Sequence, residues 1–380
     1  MAIYVVRAGE SVKSVARAVN IAEEEIIYAN QLVYPYALAV GQALWLPGGA
    51  ANSFGRTVYT NGYAYPFIEN EVLAETLPYL STLSVFSYGF TPQGELVPPA
   101  YRPDEPLVQA ALAAGVGPIL TLTPFGADGA FNNFLISEVL SNAGARARLN
   151  SEILLTVRTK GYIGVDIDFE YILADDRDAF SAWVAELAAL LHAGGFGLAV
   201  AVAPKTYAEQ PGLLYQGQDY AALGAAADRI LVMTYEWGYT YSEPMPIAPL
   251  NWVRRVVEYA VTEISAAKID LGIANYAYDW TLPYVKGESR AETLGVIEAA
   301  RRAAEQGAEI MWDEPAASPY YNYTVDGVMH EVWFEDVRSL YGKLALINEF
   351  GLHGGGWWQL MRLNRPAWLE VAAYFRIAGQ

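Results

Sequence analysis

Gly161-Tyr-Ile-Gly-Val-Asp-Ile-Asp-Phe-Glu-Tyr171 alternates acidic side chains with β-branched and aromatic ones. In an extended strand, residues i, i+2 and i+4 share a face. Asp166, Asp168 and Glu170 therefore line one face, and Val165, Ile167 and Phe169 line the other. The segment predicts a barrel strand whose apolar face packs on outer helices while its acids point inward. The acids lie at the C-terminal end of the strand, before a loop and a helix start at Asp175 or Asp176. In a (β/α)8 barrel, that end is where chemistry is built. A proton donor beside a leaving oxygen benefits from a neighbouring carboxylate that keeps it protonated near neutral pH. The pattern thus points to glycoside hydrolysis, with Glu170, nearest the rim, as donor. Two other readings of these acids stay open: a solvated strand face, which usually mixes Lys, Thr and Ser with acids, and a divalent-metal site built of hard oxygen ligands.

The chain of 380 residues is long enough for one barrel of about 250 residues plus smaller additions. Its 53% hydrophobic content supplies the core. There are no cysteines, which removes disulfides, thiol nucleophiles and thiolate metal sites. The three histidines, His192, His330 and His353, form no metal-ligand spacing. No metal and no cofactor is expected. A net charge of −18 disfavours nucleic acid and anionic membranes as partners. No apolar run approaches the 18 to 20 or so residues of a membrane span. Residues Met1 to Arg7 lack a basic segment followed by a long apolar core, so no signal peptide is expected.

Residues 3 to 6 alternate as a short strand, and Ser11 is a candidate N-cap for the helix that follows. Asn20, with Glu23 three residues on, predicts the cap of a second helix ending near Asn30. Ala43 to Pro47 is a second strand, giving βααβ within residues 1–48. A Gly, Ala and Ser-rich stretch at 49–55 predicts a flexible linker between separately folded units. Residues 56–380 carry strands at barrel spacing. The expected strands start near Val58, Leu83, Pro118, Gly161, Gly197, Arg229, Ile269 and Leu352, and the seventh is expected to run to Trp280. Helices between them, such as Asp178 to Ala193 with its stripe of Phe180, Trp183, Val184, Leu187, Leu190 and Leu191, argue for a parallel barrel. About seventy residues separate the last two strands, too many for one crossover helix. A small α+β insertion is expected at about 281–345, walling one side of the cleft.

The acidic strand resembles the signature of glycoside hydrolase family 18, Asp-Gly-x-Asp-x-Asp-x-Glu. Here it reads Ile163-Gly-Val-Asp-Ile-Asp-Phe-Glu170, with Ile163 in place of the first acid. Met233-Thr-Tyr235-Glu236 is similar to the family's Met-x-Tyr-Asp, with Glu for Asp. The resemblance implies a TIM barrel in which the substrate's 2-acetamido oxygen is the nucleophile. It further implies that Glu170 protonates the leaving oxygen, Asp168 orients the acetamido group, Asp166 supports Asp168, and Tyr235 holds the carbonyl. Trp358 matches the tryptophan under the cleaved sugar, and its neighbour Trp357 is expected to face outward. The sugar-binding candidates are Trp358, Glu236, Met233, Tyr276, Tyr88 and Tyr63. Residues 4–44 resemble a LysM module, which implies glycan binding through Gly9, Glu10, Ser11, Leu32 and Tyr34. Taken together, the chain resembles the spore cortex-lytic N-acetylglucosaminidases of the SleL or YaaH type. That implies peptidoglycan or chitin-like N-acetylglucosamine glycans as partners, a monomer, and a spore coat or cortex location. A chitinase or an endo-β-N-acetylglucosaminidase would share every catalytic residue. A non-catalytic glycan-binding protein on this fold usually loses the acid that Glu170 retains.

Overall fold

The computed structural model describes residues 2–48, 53–126 and 129–379. Eight strands, Thr57–Ala64, Thr82–Phe90, Gly117–Leu122, Gly164–Ile167, Gly197–Val202, Arg229–Val232, Ile269–Ala274 and Gly354–Trp358, pair in parallel in chain order. The eighth pairs with the first and closes the barrel, with Gly354 opposite Tyr59. That seam demands glycine: a Cβ on Gly354 would sit 1.8 Å from the Tyr59 carbonyl oxygen. A further short strand, Arg376–Ile377, pairs with the first on its other side.

The fourth strand packs outward as its alternation requires. The Phe169 ring stacks 5.4 Å from that of Trp183, on the helix Arg177–Ala193, and 5.3 Å from that of Phe90. On that helix Phe180, Trp183, Val184, Leu187, Ala188 and Leu191 are buried, while Leu190 is only half-buried. Trp357 turns outward into the helical layer, 4.9 Å from Trp368, as expected for the neighbour of an inward Trp358.

The seventh strand stops at Ala274, short of Trp280. Asn275 ends it: its N–H donates to the Trp358 carbonyl at 2.8 Å, and its side-chain amide donates to the carbonyls of Gln359 and Arg362. The chain then leaves the barrel, and Ala277–Thr281 becomes an inner strand of a five-stranded antiparallel sheet. The sheet's other strands are Glu292–Leu294, Val328–Trp333, Ser318–Val325 and Met311–Asp313, and the helix Val296–Glu305 accompanies it. Alternation alone could not reveal the break, because the apolar pattern runs on through it.

In the small N-terminal unit, Ile3–Val5 pairs antiparallel with Ala43–Trp45, around the helices Val12–Val19 and Glu23–Ala29. Ser11 caps the first helix, its hydroxyl accepting from the Ser14 N–H. Asn20, expected to cap the second helix, instead ends the first at φ 56°, a left-handed position that Asn tolerates. Ala22 precedes the second helix.

This unit is seated on the barrel. Arg365, at the start of the last helix (Arg365–Tyr374), grips the Glu75 carboxylate, donates to the Tyr28 carbonyl at 2.8 Å and lies 4.0 Å over the Tyr28 ring. The Ile310 N–H of the inserted sheet donates to the Val40 carbonyl at 2.8 Å. The backbones come so close that a Cβ on Gly41 would lie 1.9 Å from the Ile310 oxygen. Asn30 exchanges two hydrogen bonds with the Trp45 backbone, and the Trp45 ring meets Tyr374 at 6.3 Å. Residues 49–52 of the expected linker lie outside the described residues, but from Phe54 the chain is bound again, stacked 5.2 Å from Tyr374. Replacing Arg365 with Ala leaves the half-buried Glu75 carboxylate without this partner and is expected to lower stability by about 1 kcal/mol. Calorimetry of Arg365→Ala checks this, and an unchanged melting temperature would show that the seat does not depend on this grip.

Candidate active site

The cleft at the C-terminal mouth of the barrel has a volume of about 550 Å³, within the usual range for a small-ligand site. The fourth strand ends at Ile167 rather than running on to Tyr171, and Asp168 and Glu170, just past its end, reach the cleft from one side. Met233, Tyr235 and Glu236 come from the end of the sixth strand, Trp358 from the eighth, and Tyr278 from the inserted sheet. The Trp358 ring meets Phe86 at 4.7 Å and Tyr63 at 5.8 Å, so an aromatic floor lies beside the acids. Tyr171 and Glu236 hold left-handed backbone angles, φ 55° and 66°. For residues with a Cβ this costs of order 1–3 kcal/mol and concentrates at sites of function.

Asp166 lies beneath the cleft, 1% exposed. Its Oδ2 accepts from the Tyr63 hydroxyl at 2.6 Å and the Ser84 hydroxyl at 3.4 Å. Its Oδ1 and the Oδ1 of Asp168 are buried without a partner. The Oε1 of Glu236 accepts from the hydroxyls of Tyr276, at 2.5 Å, and Tyr278, at 2.9 Å.

Burial governs the protonation of every acid in this cluster. It pushes Asp168 well above the ordinary carboxylate range, and the charges of Glu170 and Asp166 push it further. Glu170 is raised by burial and then by the Glu236 charge. Burial also raises Glu236, opposed by its two tyrosine donors. Asp166 is raised by burial, opposed first by the Tyr63 hydrogen bond and then by the Arg229 charge. Tyr235 is held well above its usual value by burial and by Asp168. The mouth is therefore a place where a carboxyl holds its proton more tightly than it would in water. That equips it to give a proton to a bound oxygen.

Three of the expected sugar-binding residues lie outside the cleft lining. Tyr88 faces away from the cleft: its hydroxyl donates to Asp104 at 2.5 Å, in a cluster with Tyr162 and Lys160 behind the second strand. The register of that strand shifts between Val85 and Tyr88, and such a bulge reverses the facing that strict alternation gives. Phe86 takes the inward position instead. Tyr63 and Tyr276 point inward, but their hydroxyls are taken by Asp166 and Glu236, beneath and beside the cleft. Sequence reasoning missed Phe86, Tyr171, Pro204, Leu214, Tyr215, Trp237, Tyr239 and Tyr278 as cleft residues. Alternation from Ser84 could have found Phe86. The others stand on loops or on the inserted sheet, where no period applies.

Ile163, in place of the signature's first acid, lies ahead of the fourth strand and is 46% exposed, away from the cleft. In the N-terminal unit, Glu10 accepts from the Tyr4 hydroxyl at 2.6 Å and the Arg7 N–H at 2.8 Å, and Ser11 caps its helix. Leu32 packs against the unit's own core, Gly9 turns the first loop at φ 79°, and Tyr34 projects outward, 82% exposed. Among the described residues, no group of three or more His, Asp or Glu side chains is arranged to hold a metal ion. None of their helices is long and apolar enough to cross a membrane.

Residues 121–362 match the model of glycosyl hydrolases family 18, and residues 4–47 match the LysM domain. The chain is 33% identical to the cortical fragment-lytic enzyme of Bacillus subtilis, over 99% of either chain. It is 30% identical to the Bacillus anthracis enzyme of the same description, over 83% of this chain and 74% of that one. The crystal structure of the Bacillus megaterium spore cortex-lytic enzyme SleL superposes with a TM-score of 0.81 at 29% identity, over 100% of this chain and 87% of that one. The inward acids, the tyrosine and tryptophan at the strand ends, and these likenesses converge: the chain is a LysM-bearing member of glycosyl hydrolases family 18.

Proposed function

We propose that the protein is an N-acetylglucosaminidase that cleaves fragments of spore cortex peptidoglycan during germination. On this reading Glu170 gives its proton to the leaving glycosidic oxygen. Asp168 orients and charge-stabilises the substrate's acetamido group as its carbonyl oxygen attacks the anomeric carbon, and Asp166 supports Asp168 from below. The Tyr235 hydroxyl steadies the carbonyl, and a cyclic oxazolinium forms. Water, deprotonated by Glu170, then opens the ring with net retention. Trp358 offers its indole face to the pyranose, and Glu236, longer than the family's Asp, borders the sugar. The protein acts as a monomer on N-acetylglucosamine-containing glycans in the coat or cortex region of the spore. The observation that carries this reading is geometric: Glu170, half-buried, faces the same cleft as Asp168, Tyr235 and Trp358, and desolvation and the Glu236 charge raise its proton affinity there.

Digestion of purified cortex fragments, with the new reducing ends read by mass spectrometry, tests the substrate. Ends at N-acetylglucosamine are expected. Cleavage of chitin oligomers with cortex fragments left intact would instead favour a chitinase. Glu170→Gln is expected to lower turnover by about two to four orders of magnitude, the usual contribution of a positioned general acid. Near wild-type turnover in the folded variant would overturn the mechanism. Glu236→Gln removes the charge that raises Glu170, so Glu170 loses its proton at lower pH. The alkaline limb of the kcat/KM profile is therefore expected to move to lower pH, and a limb that stays in place would separate the two groups.

A further inference from the structure

Below Asp166 the barrel interior is polar down to its N-terminal end, where Arg229 opens the sixth strand. The Arg229 guanidinium donates to the Thr82 hydroxyl at 3.3 Å, and the Thr82 hydroxyl donates to Asn61 Oδ1 at 2.9 Å. The Asn61 amide donates to the Ser84 hydroxyl at 3.0 Å, and Ser84 donates to Asp166 Oδ2 at 3.4 Å. Ser84 also lies 3.3 Å from Asn61 Oδ1, but that oxygen already accepts from Thr82, and the carboxylate is the stronger acceptor. All four bonds run the same way, with the cation at the foot and the carboxylate at the head. Hydrogen bonds in series polarise one another, so the file carries positive character towards Asp166. Arg229 is anchored in turn by Asp270 at 3.9 Å, and Asp270 Oδ1 lies 2.7 Å from His353 Nδ1.

We propose that Arg229 is a positioning residue for the reaction: through the Thr82, Asn61 and Ser84 file it holds Asp166 ionised, so that the proton shared by the stacked acids resides above, on Asp168 and Glu170. The inference rests on the proposed function, in which a charged Asp166 supports Asp168. Asp166 needs such help, because its Oδ1 has no partner and Tyr63 is the other donor to Oδ2. The titratable and charged groups around it are Tyr63 on the first strand, Asp168 and Glu170 just past the end of its own strand, Arg229, Tyr235 and Glu236 on the sixth, Asp270 on the seventh and His353 before the eighth. Burial raises Asp166, and the Arg229 charge opposes that.

The test is the pH profile of cortex-fragment hydrolysis by Arg229→Met, Arg229→Lys and Thr82→Val in the full chain. Without the Arg229 charge Asp166 protonates more readily, so the acidic limb of kcat/KM moves up by roughly half a pH unit or more. Below neutral pH, kcat falls while KM holds. Arg229→Lys keeps the charge and is expected to return the limb most of the way; a Lys variant displaced as far as the Met one would overturn charge as the cause. Thr82→Val breaks the file at its first link with the fold's shape kept, and moves the limb the same way by less. It carries the test if circular dichroism finds Arg229→Met unfolded. A folded Arg229→Met or Thr82→Val with its acidic limb at the wild-type position overturns the proposal, even if its rate is reduced. Glu170→Gln separates the two failures: full activity there removes the proposed function, whereas an inactive Glu170→Gln with an unmoved limb removes only the role of Arg229.

Discussion

The structure depends on gathering acids where water is scarce. Asp166, Asp168, Glu170 and Glu236 crowd one barrel mouth, and burial raises the proton affinity of each. An isolated buried carboxylate is costly, so the surrounding fold supplies donors in sequence. Tyr63 and Ser84 serve Asp166, Tyr276 and Tyr278 serve Glu236, and the polar file from Arg229 runs beneath. Asp168 and Glu170 receive no comparable donors among the described residues, and burial and neighbouring charge raise their proton affinity. The chemistry follows from unequal relief of one shared strain.

That same inequality explains the inner lining of the barrel. A parallel barrel usually fills its interior with branched apolar side chains. Here the lower interior holds Asn61, Thr82, Ser84, Arg229 and Asp270, and the apolar work is moved to the outer faces, where Val165, Ile167 and Phe169 meet the helices. The residues that stabilise the fold and those that tune the site thus occupy opposite faces of the same strands.

Period-two alternation made the strands, the inward acids and the outward Trp357 legible in the sequence, because a pleated strand has no other way to divide its side chains. It failed where the pleat itself is interrupted. The bulge after Val85 sent Tyr88 outward, and the turn at Asn275 ended the seventh strand inside an unbroken apolar pattern. The roles of Tyr63 and Tyr276 were half legible: their direction follows from alternation, but the acids that claim their hydroxyls lie 103 and 40 residues away in sequence. The seat of the N-terminal unit on Arg365 and Ile310 was not legible at all, since nothing local in residues 1–48 encodes a partner more than two hundred and fifty positions on.

The closing seam has a consequence in time. The first barrel strand pairs with the second on one side, but its other neighbour, Gly354–Trp358, and the short strand Arg376–Ile377 lie some three hundred residues on. The N-terminal unit rests on the helix Arg365–Tyr374, which follows all eight barrel strands. A chain synthesised from its N-terminus therefore cannot close the barrel or seat the unit until Gly354–Tyr374 has emerged. Until then one edge of the first strand and one edge of the seventh stay unpaired and open to edge-to-edge association.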